Sequence, residues 1–464
     1  MAKINLAVYK ARYVAKTMSA GGLVTASESD KGGIFVTATK DLKKGTKVME
    51  CAAASLALDP VYRRTHCGFC ARKHPNVRVC GECQVIGCCP NCSLDGRHKN
   101  ECAALQALGR LFPKTEDACG PNIDSSHLLT VRLLCRRDDL DWELSKCLHA
   151  VSLPDSIDAD VFAICAQLQV PPLSWVGNDI YKQALARVIG CSHAITDVSL
   201  SLGSQSLGRG LFPEHSFYNH SCAPNAFLSC FLMTNGDSEE KKHSDVMARL
   251  HLLSDVKAGD QISISYIPTS GLSNQERQQR LKQGYDFACD CEACSSRKIV
   301  LPPNTDVNSI REIQFSCNER LLERVDSTTD LDEIEHIISL VEMTKRGIRN
   351  QEIPHSHEVS IETDRLLAMA YSLSGKKEEA IKHHDRFFSE SAKIGHLFDP
   401  VAMATQRMKC ANVLEGDLGS SQLQEAIAGL EISLGEDHPW VRLLSRKVQA
   451  ASSQPASKKR KSPS

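Results

Sequence analysis

Residues 219–225 read Asn-His-Ser-Cys-Ala-Pro-Asn, and 67 positions beyond Cys222 the chain reads Cys289-Asp290-Cys291-Glu292-Ala293-Cys294. Three clustered thiolates fill three corners of a tetrahedral zinc site, so the fourth ligand has to come from elsewhere in the fold. Cys222 is the candidate. Between the two segments, Gly259-Asp260 turns the chain into Gln261-Ile262-Ser263-Ile264-Ser265-Tyr266, whose alternation predicts a strand ending on Tyr266. Ser273-x-x-Glu276 then reads as a capping box that opens a helix over NQERQQRLKQGY.

Upstream, eight of the chain's 21 cysteines fall between Cys67 and Cys102. They pair as Cys67-x2-Cys70, Cys80-x2-Cys83, Cys88-Cys89-x2-Cys92 and His98-x3-Cys102, enough for two tetrahedral Zn²⁺ sites. Cross-braced wiring gives Cys67, Cys70, Cys89 and Cys92 to one ion and Cys80, Cys83, His98 and Cys102 to the other. Either Cys88 or Cys89 supplies the fifth ligand, and spacing leaves that choice open. Few large apolar residues lie in this stretch, so metal is expected to supply its folding free energy. A disulfide-stapled secreted domain is the competing reading. The Lys-Lys-Arg-Lys tail and the absence of a secretory signal favour a reducing compartment.

The rest of the 464 residues is ordinary globular sequence with a formal net charge of −1, which implies no global attraction to a polyanion. No run of 18 apolar residues exists, so no membrane span is expected. Lys3, Lys10, Arg12 and Lys16 make a basic N-terminus that is expected to be disordered or bypassed by a start at Met18. Gly33 opens a β-type run, Lys44-Gly45 turns, and Val48 to Leu58 extends again. Helical spacing marks Leu128, Val131, Leu134 and Cys135, then Ile180, Ala184, Leu185 and Val188. Phe227–Met233 and Met247–Leu253 read as a hairpin around a polar loop. Beyond about residue 300 the pattern is helical. Ile334, Ile337, Ile338 and Val341 form one stripe, and residues 368–381 and 409–427 resemble each other as helix, glycine turn, helix. The tail 453–464 is disordered by composition, and Lys458–Lys461 followed by Ser462-Pro463 reads as a nuclear import signal.

In this order, the 219–225 motif, the GDQISISY segment and the CDCEAC segment resemble a SET domain with its cysteine-rich post-SET segment. The upstream cysteines resemble a MYND finger, whose last ligand pair is His-x3-Cys on a short helix. Together they are similar to the SMYD type, SET plus MYND. Gly33-Ile34-Phe35 stands at the family's first glycine motif, ahead of ATKDLKKG at 38–45, and its aromatic is similar to the arthropod-type group. The implied fold is α+β and multidomain. It comprises a disordered segment 1–20, a SET N-terminal part 21–66, the MYND finger 67–102 and a helical insert 103–190. The SET core 191–270, post-SET 271–297, a TPR-like helical domain 298–452 and a basic tail 453–464 follow.

The resemblance implies an S-adenosylmethionine-dependent protein-lysine N-methyltransferase with three Zn²⁺ per chain. Tyr266 matches the catalytic tyrosine. Asn219 and His220 match residues that hold the cofactor, with Ser216 beside them. Phe287 matches the ring that stacks on adenine, and Tyr285 a wall of the lysine channel. Gly33 and Phe35 occupy the first cofactor motif, and His193 falls near an asparagine that contacts the cofactor's methionine part. Expected partners are protein lysines and, through the finger, proline-rich peptides. Neither sequence-specific nucleic-acid binding nor a membrane is expected. The chain is expected to be monomeric, in nucleus and cytoplasm. The alternative from a different class is an adaptor, with the SET domain a degenerate scaffold.

Overall fold

A computed structural model describes residues 22–28, 34–93, 97–112, 121–136, 148, 150–196, 206–233, 246–269, 272–295, 305–325, 331–394, 399–414 and 416–453. Gly33, the basic N-terminus and the Lys458–Lys461 run lie outside them. The chain divides into two compact units. One takes residues up to Asn219 with Asn225–Ile264 and Lys282–Phe287; the other takes His220–Pro224, Ser265–Leu281 and everything from Ala288.

The first unit is built on a six-stranded sheet. Its strands are β3 (Lys47–Ala52), β4 (Ser55–Leu58), β7 (Ser192–Thr196), β8 (Ser206–Leu211), β10 (Ala226–Leu232) and β11 (Val246–Leu252). Two further pairs of short strands precede β7 and one short strand precedes β10: β1 (Val24–Glu28) with β2 (Ile34–Ala38), β5 (Arg78–Val79) with β6 (Gly87–Cys88), and β9 (Asn219–His220). The sheet order is β3-β11-β10-β7-β8-β4. The expected hairpin is present as β10 and β11, antiparallel from Ala226 opposite Leu252 to Leu232 opposite Val246. Gly208 in β8 has φ +147°, and a Cβ there would stand 2.1 Å from the Ala57 carbonyl. Only glycine lets β8 lie this close to β4.

The strand expected over Gln261–Tyr266 is largely absent. Only Ser263–Ile264 (β12) is regular, and Tyr266 sits in a bend. Asn225 Nδ2 donates to the Gln261 carbonyl at 2.8 Å while its Oδ1 accepts from the Ser263 amide at 2.8 Å. The asparagine satisfies one edge of the segment, while on the other Gln261 bridges Thr37 and the Ile262 amide donates to the Val36 carbonyl at 2.8 Å.

Helices α1 (Pro90–Ser93), α2 (Arg97–Gly109), α3 (Ser125–Leu134), α4 (Asp158–Gln167) and α5 (Asn178–Cys191) complete this unit. Asp124 caps α3, accepting from the Ser126 amide at 2.8 Å. The apolar stripes run as expected: Leu128, Val131 and Leu134 on α3 are buried, as are Ala184, Leu185 and Val188 on α5. The cysteine-rich finger, as its few large apolar residues imply, has no separate core among the described residues; it shares one with the helices that follow. Helix α2 carries His98 and Cys102 in its first turns, then continues through Leu105 and Leu108. Those two leucines join Phe69, Val85, Ile86, Leu128, Leu129, Leu133 and Leu185 in one buried cluster. Arg132 ties the two regions together. It is buried, donates to Glu101 at 3.1 Å and to the carbonyl of Gly68 at 2.7 Å, and lies 4.8 Å from the Phe69 ring centre.

The second unit is helical. Helices α6 (Asn274–Tyr285) and α7 (Glu292–Ser295) precede α8 (Val307–Val325), α9 (Leu331–Asn350), α10 (Glu358–Leu373), α11 (Lys377–Ile394), α12 (Pro400–Val413), α13 (Gly416–Leu434) and α14 (Pro439–Ser453). The capping box exists: the Ser273 amide donates to Glu276 at 2.6 Å and the Glu276 amide donates to the Ser273 hydroxyl at 3.3 Å. The two similar segments form hairpins α10–α11 and α12–α13, the first turned by Gly375 at φ +74°. Ile334, Ile337, Ile338 and Val341 are buried against Leu366, Leu367 and Ala370.

Burial holds His215 in the first unit and His384 in the second at about 4, below the ordinary histidine value. Nearby Lys409 and His383 push His384 in the same direction. Between pH 6.5 and 4 the unfolded chain takes up protons that the folded chain refuses, so stability is full above pH 6.5 and falls as pH drops through this window. Each histidine contributes on the order of 3 kcal/mol at most. The urea midpoint should fall between about pH 6.5 and about 4.5, and less steeply in His384→Gln. An identical pH slope in that variant would contradict the assignment.

Candidate active site and metal centres

Three groups of four side chains gather their ligand atoms within 4.8 Å of one another: Cys67, Cys70, Cys89, Cys92; Cys80, Cys83, His98, Cys102; and Cys222, Cys289, Cys291, Cys294. Two begin in matching loops. After Cys70 and after Cys83 the chain turns through Ala71 (φ 60°) and Gln84 (φ 55°), whose amides reach back to the carbonyls of Cys67 and Cys80 at 2.8 and 3.0 Å. These loops point both cysteines of each pair the same way. Gly87 lets β6 pass between them, because a Cβ there would lie 2.3 Å from the Arg63 carbonyl. The open choice at the fifth position is resolved by geometry. Cys89 Sγ is 4.0 Å from Cys70 Sγ, whereas Cys88 pairs with Arg78 in β6 and lies outside the group. Burial pushes the Cys88 thiol up to about 12, so it stays protonated.

His98 completes the second group through Nε2, 3.7 Å from Cys83 Sγ. Its Nδ1 faces Glu101 at 3.7 Å, and Glu101 is held by Arg132. A carboxylate behind a ligating imidazole fixes the tautomer and aims the ring.

The third group lies wholly in the second unit. Cys222 Sγ is 3.5 Å from Cys294 Sγ. Helix α6 sets the cysteine loop: Gln278 donates to the Cys289 carbonyl at 2.6 Å and accepts from its amide at 2.9 Å, and Asn274 donates to the Cys294 carbonyl at 3.1 Å. His220 stands next to this group, its Nε2 3.3 Å from Cys222 Sγ. Its Nδ1 accepts the Tyr266 backbone N–H at 3.0 Å, and the two rings are 5.4 Å apart. Sulfur-rich tetrahedral sets of this kind are the chemistry of zinc. Metal analysis of protein purified without chelator should return close to three zinc equivalents per chain. A value near two would show that Cys222 does not share an ion with Cys289, Cys291 and Cys294.

The remaining residues singled out in the sequence fall in the first unit. Phe35, on β2 opposite Ser27, is partly buried. His193, on β7 opposite Gly210, meets His215 edge-on with ring centres 4.1 Å apart and the two Nε2 atoms in contact, while His215 Nδ1 donates to the Phe212 carbonyl. Burial drives both histidines neutral, and that allows one Nε2 to donate to the other. Ser216 lies in the 3-10 turn Pro213–Phe217, its hydroxyl buried with no hydrogen-bond partner among the described residues. Asn219 is exposed, and Tyr285 and Phe287 are half-buried. Burial raises the Tyr285 hydroxyl and Arg209 opposes it; the same guanidinium also opposes protonation of His193. Arg209 is anchored to Ser192, donating to its Oγ at 2.8 Å and to its carbonyl at 3.1 Å, and its charge reaches both residues. No sequence pattern marks it. Asn225 is the other residue missed, although it is the last letter of the 219–225 motif.

A family model for the SET domain matches residues 33–267, half of the chain, and the chain belongs to the SET-domain family. Its architecture is that of the SMYD type. The chain is 27% identical to the histone-lysine N-methyltransferase Smyd1 of Mus musculus over 80% of this chain and 78% of that protein. It is 21% identical to the N-lysine methyltransferase SMYD2 of Homo sapiens over 93% of this chain and 98% of that protein. Against SMYD2-A of Xenopus laevis it is 22% identical, over 91% and 97%.

Proposed function

We propose that the chain is an S-adenosylmethionine-dependent protein-lysine N-methyltransferase. The observation that carries this reading is the junction at His220, where the 219–225 motif, the third cysteine group and Tyr266 meet through hydrogen bonds. The residues of the first unit suit the cofactor. The buried Ser216 hydroxyl, without a hydrogen-bond partner among the described residues, offers one to a polar ligand, and a buried hydroxyl left unsatisfied costs about 1–3 kcal/mol. Phe287 offers a ring for an adenine, and Asn219 an exposed amide.

S-adenosylmethionine, when bound, supplies a methyl group on a sulfonium, which needs no further activation. The chain's task is then to hold a neutral lysine amine in line with that methyl and to keep water out. Tyr285 walls the lysine channel. The guanidinium of Arg209, whose charge acts on Tyr285, favours the neutral form of an incoming amine, because a second cation there raises the cost of an ammonium. Tyr266 orients methyl and amine through its hydroxyl and polarises the transition state.

The finger, read as MYND, recruits proline-rich peptides, and the chain acts as a monomer on protein lysines in nucleus and cytoplasm. Import runs through Lys458–Lys461, and alanine in those four positions should move a tagged protein out of the nucleus. Among the described residues no helix is long and apolar enough to cross a membrane. One observation favours the adaptor reading: the His193 ring is engaged by His215 at a position where the cofactor's methionine part is expected. Calorimetric titration of zinc-loaded protein with S-adenosylmethionine separates the two readings. Saturable one-to-one binding supports the enzyme, and absence of binding leaves the adaptor.

A further inference from the structure

We infer that His220 is a positioning residue that transmits the geometry of the third metal group to Tyr266. The inference rests on the proposed role of Tyr266, and it begins with hydrogen-bond direction. A backbone amide can only donate, so His220 Nδ1 is the acceptor for Tyr266 at 3.0 Å and the ring proton sits on Nε2. That N–H points at Cys222 Sγ, 3.3 Å away. Cys222 is fully buried and His220 half-buried.

Both ring nitrogens are therefore engaged within the protein, leaving His220 only its backbone for a cofactor. Tyr266 has lost the regular strand that would otherwise fix it, since pairing stops at Ile264 and the tyrosine lies in a bend. His220 Nδ1 accepts the tyrosine's backbone N–H, and a cysteine of the metal group faces the other nitrogen of the same ring. Ordering that cysteine orders the ring, and the ring orders the tyrosine amide.

Two substitutions separate the two arms. The Oδ1 of an asparagine sits where Nδ1 sits, and the amide of a glutamine reaches where Nε2 sits. His220→Asn keeps the acceptor for Tyr266 but drops the contact to Cys222; it should release the third zinc to a chromophoric chelator about tenfold faster, the usual scale for losing an outer-shell partner, and lower kcat for methyl transfer by roughly tenfold. His220→Gln should retain zinc within about threefold and lose roughly 30-fold or more in kcat, with KM for S-adenosylmethionine nearly unchanged. Amide hydrogen exchange at Tyr266 gives a readout independent of catalysis. It should quicken in both variants. Wild-type kcat and wild-type Tyr266 exchange in His220→Gln would overturn the inference. So would wild-type kcat and slow Tyr266 exchange in His220→Asn despite faster zinc release, or a rise in KM for cofactor with kcat intact. A wild type that transfers no methyl group would refute the enzyme reading, while the exchange and zinc-release measurements would still decide the coupling.

Discussion

Tyr266→Phe should lower methyl transfer to protein lysine by roughly two orders of magnitude or more while leaving cofactor affinity almost unchanged. The substitution keeps the ring, which lies 5.4 Å from that of His220, and keeps the backbone N–H that His220 accepts. Only the hydroxyl is removed. Asn219, Ser216 and Phe287, the residues proposed to hold the cofactor, are untouched. Parallel measurements of kcat and of S-adenosylmethionine binding by calorimetry check both halves. Equal turnover in the two proteins would take Tyr266 out of the mechanism. A large loss of binding would make it a cofactor ligand instead.

The largest stability effect is expected at the finger. Cys83→Ser removes a thiolate from the group of Cys80, His98 and Cys102, and structural zinc sites contribute on the order of 10 kcal/mol to the folding of small metal domains. The loss should not stay local. Cys67, Phe69, Cys83, Val85 and Ile86 pack in the same cluster as Leu105, Leu108, Leu128, Leu129 and Leu185, and Arg132 joins that cluster to Glu101 behind His98. Thermal unfolding followed by circular dichroism should therefore show the first unit melting early in Cys83→Ser. The helical signal of the second unit, with its separate core around Ile334, Ile337 and Leu366, should persist. Unfolding confined to the finger would show that the shared core does not couple it to the sheet.

These outcomes also mark where the sequence was legible. Metal groups were readable because zinc demands a fixed ligand number and type, and that constraint survives in spacing alone. Even so, adjacent Cys88 and Cys89 have the same chemistry, and only the β5–β6 pairing separates them. The helical stripes and the β10–β11 hairpin were legible because burial imposes a period on one element at a time. The shared core of the finger was not, since Phe69 and Val85 find partners far along the chain on α2 and α3. Nor was the fate of the segment ending at Tyr266. Its alternation satisfies a strand pattern, but Asn225 supplies two of the hydrogen bonds on one edge, and regular pairing covers only Ser263–Ile264. For the site, the motif residues were recognisable, whereas Arg209 and the His193–His215 contact depend on strand register and a 3-10 turn.

The central claim is lysine methylation, and one measurement addresses it directly. Zinc-loaded protein is incubated with a cell extract and S-adenosylmethionine carrying a deuterated methyl group, and digested peptides are scored by mass spectrometry for heavy methyl-lysine. The account predicts heavy methyl-lysine with the wild-type chain and its near disappearance with Tyr266→Phe. Saturable cofactor binding with no heavy methyl on any lysine would contradict it.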